Sequence, residues 1–104
     1  MIETLYKMSR VNKRTVEKII LDENLHYIHV ILNKDEGLPE HYSNSNIYMT
    51  VLMGELAIGL NEQEMHEYGS GNILKIPKDT KMNIKNLSMD ILEFIIVKAP
   101  APER

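Results

Sequence analysis

The chain of 104 residues contains no cysteine. Disulfides, thiolate nucleophiles and thiolate metal sites are excluded together, and the redox compartment is left unassigned. No stretch approaches the roughly 18 apolar residues of a membrane span, and the opening MIETLYKMSRVNKR lacks the apolar core of a signal peptide. A cytoplasmic protein without a membrane partner is the default expectation. The 15 acidic and 12 basic side chains are interspersed, with a formal net charge of −3, so there is no basic stripe for nucleic acid and no polybasic patch for a lipid surface. Internal repeats, low-complexity segments and glycine-rich phosphate loops are also missing, and no Ser-His-Asp arrangement can be assigned from spacing. Asn86-Leu87-Ser88 matches a glycosylation acceptor, which has no meaning in a cytoplasmic chain.

What is present, from about Thr15 onward, is a series of short segments rich in β-branched and aromatic residues. Clusters of Gly, Pro, Asn and Asp separate them. The pattern predicts strands over Val16 to Leu21, Leu25 to Leu32, Ile47 to Met53, Glu55 to Leu60, Met65 to Tyr68, Ile73 to Ile76, Lys81 to Ile84 and Ile91 to Lys98. Asp22 to Asn24, Asn33 to Gly37, Asn61 to Gln63, Gly69 to Gly71 and Lys78 to Thr80 read as turns, because such residues tolerate positive φ or cap their own backbone. An all-β sandwich or closed barrel over residues 15–100 follows, as one domain that buries roughly two-thirds of its unfolded surface. Met1 to Arg14 read as a short helix or an arm laid over a neighbour. Residues 101–104 form a tail, and the prolines of Ala99-Pro100-Ala101-Pro102 cannot continue a sheet ladder because they have no N–H to donate.

Two segments carry a spaced framework. Gly71, Pro77 and Asn86 match a motif that runs Gly-Asp, four residues, Pro, one residue, Gly, two residues, His, three residues, Asn; here Asn72, Asp79 and Met82 stand for the Asp, the Gly and the His. Reading back from Gly54, a second motif places Ile47 at a Glu position, Ser43 and His41 at a His-x-His pair, and Gly37 at its start. Together these segments resemble the conserved motifs of the cupin family, small single-domain cupins in particular. The resemblance implies a double-stranded β-helix of the jelly-roll type, usually homodimeric. In that family the histidines and the acid hold a metal for dioxygenase, isomerase or decarboxylase chemistry.

Of the four implied ligands, only His41 survives. Ser43 is a poor neutral donor, Ile47 offers none, and the lone thioether of Met82 suits soft cuprous ion better than the hard divalent ions. No metal site and no cofactor are therefore expected. The same replacements make the position apolar, and Met49 shares the strand face of Ile47. The expected site is a pocket for a small apolar or aromatic ligand touching Ile47, Met49 and Met82, with His41, Ser43, Asn46 and Tyr48 supplying hydrogen bonds; residues that simply fill the barrel are the competing reading. Ser43 to Asn46 reads first as a solvated turn, with a rigid polar rim as the alternative. His26 and His29 should face opposite sides of one strand, and a compensating site of His41 with His66, near Glu64 and Tyr68, is the alternative for a metal. A binding or regulatory module is thus weighed against an enzyme, with either altered metal ligands or metal-free isomerase or lyase chemistry at His41, and against a structural protein that adds its first strand to a partner's sheet.

Overall fold

The computed structural model of the protein describes residues 1–103. Among these residues there is no helix, and none therefore that is long and apolar enough to cross a membrane. Nine strands follow one another: β1 (Thr15–Leu21), β2 (His26–Leu32), β3 (Gly37–Tyr42), β4 (Ile47–Met53), β5 (Glu55–Leu60), β6 (His66–Gly69), β7 (Ile73–Ile76), β8 (Lys81–Lys85) and β9 (Leu92–Lys98). They build a five-stranded sheet in the order β1-β2-β9-β4-β7 and a four-stranded sheet in the order β3-β8-β5-β6. Every pairing is antiparallel. From β2 onward the chain changes sheet at nearly every turn, and this winding makes the double-stranded β-helix.

Period-two alternation gives each sheet one apolar face, and the two faces meet. Val30, Leu32, Met49, Val51, Phe94 and Ile96 from one sheet pack against Leu56, Ile58, Met82 and Ile84 from the other, all of them buried. Eight strands start and stop within one residue of the limits expected from sequence. The ninth, β3, lies where sequence predicts no strand. It pairs only with β8, at the edge of its sheet, and its ladder is irregular between Leu38 and His41. Pro39 is tolerated there because an edge strand can spare one N–H, and the exposed Glu40, His41 and Tyr42 leave no alternation to detect.

Turn chemistry closes the corners. Gly54 has φ +82°, and a Cβ there would come within 2.3 Å of the Ile91 carbonyl oxygen, so only glycine fits. Asp79, standing at a glycine position of the framework, keeps the left-handed conformation at φ 67°; short polar side chains tolerate it best after glycine. Asn86 is fully buried. Its Nδ2 donates to the carbonyls of Leu32 (3.0 Å) and Asp90 (2.8 Å). Its Oδ1 accepts from the N–H and hydroxyl of Ser88, both at 3.1 Å. At the other end of the barrel the tail is tied down: the Ala99 N–H donates to Asn46 O and the Ala101 N–H to Asn24 O, both at 3.1 Å.

Residues 1–14 form an extended arm, not a helix. Its anchor is a chain of polar contacts on the outer face of the five-stranded sheet. The Ser9 N–H and hydroxyl donate to the two Glu17 carboxylate oxygens at 2.7 Å each. Glu17 in turn faces His29 Nδ1 at 2.8 Å, and His29 Nε2 faces Glu93 at 2.6 Å. His29 points away from the barrel interior yet has no exposed surface. The Ser9 backbone N–H, then its hydroxyl, then His29 hold the Glu17 carboxyl down to about 2 from an ordinary 4.5. Because the folded state lowers this pKa, the contact is fully stabilising above the unfolded value and fades as pH falls from there through the folded value. Glu17→Gln is expected to lower the melting temperature at about pH 6, with the gap to the parent closing by about pH 2, as read by circular dichroism melts across that range.

Candidate functional site

A cavity of about 400 Å³ lies between the two sheets, walled by β1, β2, β4 and β9 on one side and by β3 and β8 on the other. β1 and β3 are edge strands of their respective sheets, so the sheets are not closed against each other there. Arg14 bridges this side, donating from Nη2 to the Gly37 carbonyl at 3.2 Å. Of the twelve residues lining the cavity, nine are apolar, among them Ile28, Val30, Ile47, Met82, Ile84 and Ile96. The other three are His41, Lys18 and Lys98. A second hollow of about 320 Å³ lies between the arm and the outer sheet face, lined by Ser9 to Asn12 with Ile31, Met53, Ile91 and Glu93. None of the framework positions reaches it, so the barrel cavity is the candidate site.

The structure brings together three of the residues expected from sequence. His41 and Met82 are direct partners across β3 and β8, and Ile47 joins them from the opposite sheet. The exposed His41 ring places Nδ1 2.9 Å from the Pro39 carbonyl oxygen. That oxygen can only accept, so Nδ1 carries the proton and, in the neutral ring, Nε2 keeps its lone pair. Met49 is fully buried in the core and Tyr48 lies on the outer sheet face, where the Lys75 ammonium sits 5.7 Å from its ring centroid.

Ser43 and Asn46 serve the turns instead. The Ser43 hydroxyl donates to Pro77 O at 2.7 Å and accepts from the Thr80 N–H at 2.9 Å, while the Thr80 hydroxyl donates to the same Pro77 oxygen at 2.8 Å. Asn46 Oδ1 accepts from the Lys78 N–H at 3.2 Å. Asn44 Oδ1 accepts from Lys98 Nζ at 3.2 Å, and Ser45 donates to the Pro100 carbonyl. With Ser43 and Ser45 buried, residues 43–46 are a fastening between strands and tail and not a solvated turn.

Sequence reasoning missed Lys18 and Lys98. Both were detectable by phase: Lys18 follows Val16, and Lys98 follows Ile96, by one strand repeat on the inward face. Lys98 is half-buried, and burial first, then the neighbouring Lys18 charge, hold its ammonium below the usual lysine range. Neither ammonium is paired with a carboxylate among the described residues.

No family model matches the sequence. An uncharacterised protein of Methanocaldococcus jannaschii is 42% identical over 105 residues, which span 100% of this chain and 90% of that protein. The crystal structure of this same relative, an RmlC-like cupin family protein with a double-stranded β-helix fold, superimposes with a TM-score of 0.95 at 42% identity, covering 98% of this chain and 94% of the other. The chain belongs to the cupin family. A cupin superfamily protein of Desulfitobacterium hafniense shares the fold at 13% identity, with a TM-score of 0.75 over 89% of this chain and 83% of its own.

The metal that cupin motifs imply does not fit the residues this cupin presents. At the ligand positions stand one imidazole, a serine whose hydroxyl is committed to Pro77 and Thr80, an isoleucine and a thioether. His66 does not complete a site with His41: it is on β6, at the opposite edge of the sheet from β3 with two strands between, and its exposed ring leans on Tyr68 with centroids 6.5 Å apart. Among the described residues, no three His, Asp or Glu side chains converge on one point.

Ser43→Ala is expected to destabilise the protein by about 1–3 kcal/mol, since it strips the buried Thr80 N–H of its acceptor. His41→Ala, at an exposed ring, is expected to change stability little. Urea unfolding of the two variants separates the fastening residue from the cavity residue.

Proposed function

We propose that this cupin is a metal-independent binding or regulatory module that holds a small, largely apolar or aromatic molecule in the barrel cavity. The observation that carries this reading is the cavity itself: about 400 Å³ with nine apolar walls out of twelve, inside the volume range of small-molecule sites of roughly 300–1,000 Å³. Methionine and isoleucine at former ligand positions supply an adaptable apolar wall. His41 Nε2 supplies one directional polar contact at the rim. Acid–base chemistry at His41 has less support, because no carboxylate, hydroxyl or amide lines the cavity beside it.

Aminoanthracene, a neutral fluorophore, is expected to bind with a blue shift. Val16→Trp, which fills the cavity from an edge strand, should abolish that binding without lowering the melting temperature. Elemental analysis of tag-free protein is expected to show no stoichiometric Fe, Mn, Ni or Zn. Failure of the fluorophore to bind the parent protein, or one equivalent of metal that disappears in His41→Ala, overturns the reading.

The module is proposed to work as a homodimer. Tyr48, Leu52 and Ile73 leave apolar surface exposed on the outer face of the five-stranded sheet, and Ile2 and Leu5 do so on the arm; a second copy is the partner whose matching surface would cover them. Light scattering at micromolar concentration is expected to give twice the chain mass of 12.0 kDa. A monomeric mass overturns the pairing.

A further inference from the structure

We propose that the ligand of this cavity is an amphipathic carboxylate, its apolar body between the sheets and its carboxylate at Lys18 and Lys98. The inference rests on the binding-module reading and narrows it to a chemical class. The protein as a whole is acidic, at −3, yet no acidic residue lines the cavity and both charged groups in its wall are lysines. The two come from different strands, the exposed Lys18 from β1 and the half-buried Lys98 from the end of β9, and both line the same cavity.

Like charges gathered beside low-dielectric walls repel each other and draw in a counter-ion. Surface lysines ordinarily extend into water or pair with a neighbouring carboxylate. Lys98 has no carboxylate partner among the described residues: its stem is half-buried, and its ammonium, near the surface, donates to the neutral Asn44 Oδ1 at 3.2 Å. An ammonium has three donors, so at least one remains for an incoming oxygen. A carboxylate supplies two acceptor oxygens for two ammonium groups, relieves their repulsion, and brings no further charge that would need partners the wall lacks. The nine apolar lining residues then set the chemistry of the rest of the molecule.

The test compares head groups on one tail: octanoate, octanol and octylammonium, titrated by calorimetry into the parent protein, Lys18→Gln, Lys98→Gln and the double variant. Octanoate is expected to bind the parent roughly tenfold or more tightly than octanol, with octylammonium weakest. Each single variant should lose much of that preference and the double variant all of it, while affinity for octanol is unchanged, which shows the cavity intact. Equal affinity for octanoate and octanol in the parent, or a preference that survives in the double variant, overturns the carboxylate assignment and leaves the cavity reading standing. Failure of all three ligands and of aminoanthracene overturns both.

Discussion

Asn86 is sealed from solvent, and its side chain donates twice and accepts twice within a single corner of the barrel. Through it the end of β2, the end of β8 and the approach to β9 are held at fixed separations, and its own N–H and carbonyl bond with Glu36 and Asp35 at the start of β3. Such a corner cannot rest on apolar packing, because the strand ends bring backbone groups that must find partners away from water. Meeting those demands with one side chain leaves the interior free to be wholly apolar. Ser43 does comparable work among Pro77, Asp79 and Thr80. With both ends of the two sheets tied by hydrogen bonds, the space between them need not be packed solid along its whole length, and the cavity occupies the part left over.

The parts of this design that were legible in the amino-acid order are those enforced locally. Gly54 announces itself because a backbone at positive φ beside the Ile91 carbonyl admits nothing else, and the alternating apolar residues of β4, β5 and β9 can face only one way. The edge strand β3 carried no such mark. Its Pro39 and its exposed polar residues satisfy a single neighbour, so neither periodicity nor composition betrays it. The outer-face anchor was equally hidden: His29 meets carboxylates 12 and 64 residues away in the chain, and nothing near it in sequence signals that both ring nitrogens will be engaged.

The site divides in the same way. His41, Ile47 and Met82 line the cavity because the barrel's winding puts those framework positions at one place whatever residues occupy them. Ser43 and Asn46 depart from it because serine and asparagine make local backbone hydrogen bonds when a turn offers them, and the Pro77 to Thr80 turn offers several. Lys18 and Lys98 were overlooked for a different reason. A lysine on a strand ordinarily faces solvent, and Lys18 is itself exposed; only the phase relative to Val16 or Ile96 shows that each borders the apolar side.

The commitment of the Ser43 hydroxyl also bears on which proteins lie within mutational reach of this one. Placing an imidazole at that position would leave the Thr80 N–H without its acceptor and take from the Pro77 oxygen one of its two donors, before any ion had a full set of ligands to compensate. A carboxylate at Ile47 would meet a buried apolar wall with the same poor timing. Each step toward a metal-holding barrel is thus unfavourable until the others are in place. The fastening that stabilises the turn sets a stability cost on a step from this barrel toward a metal-holding one.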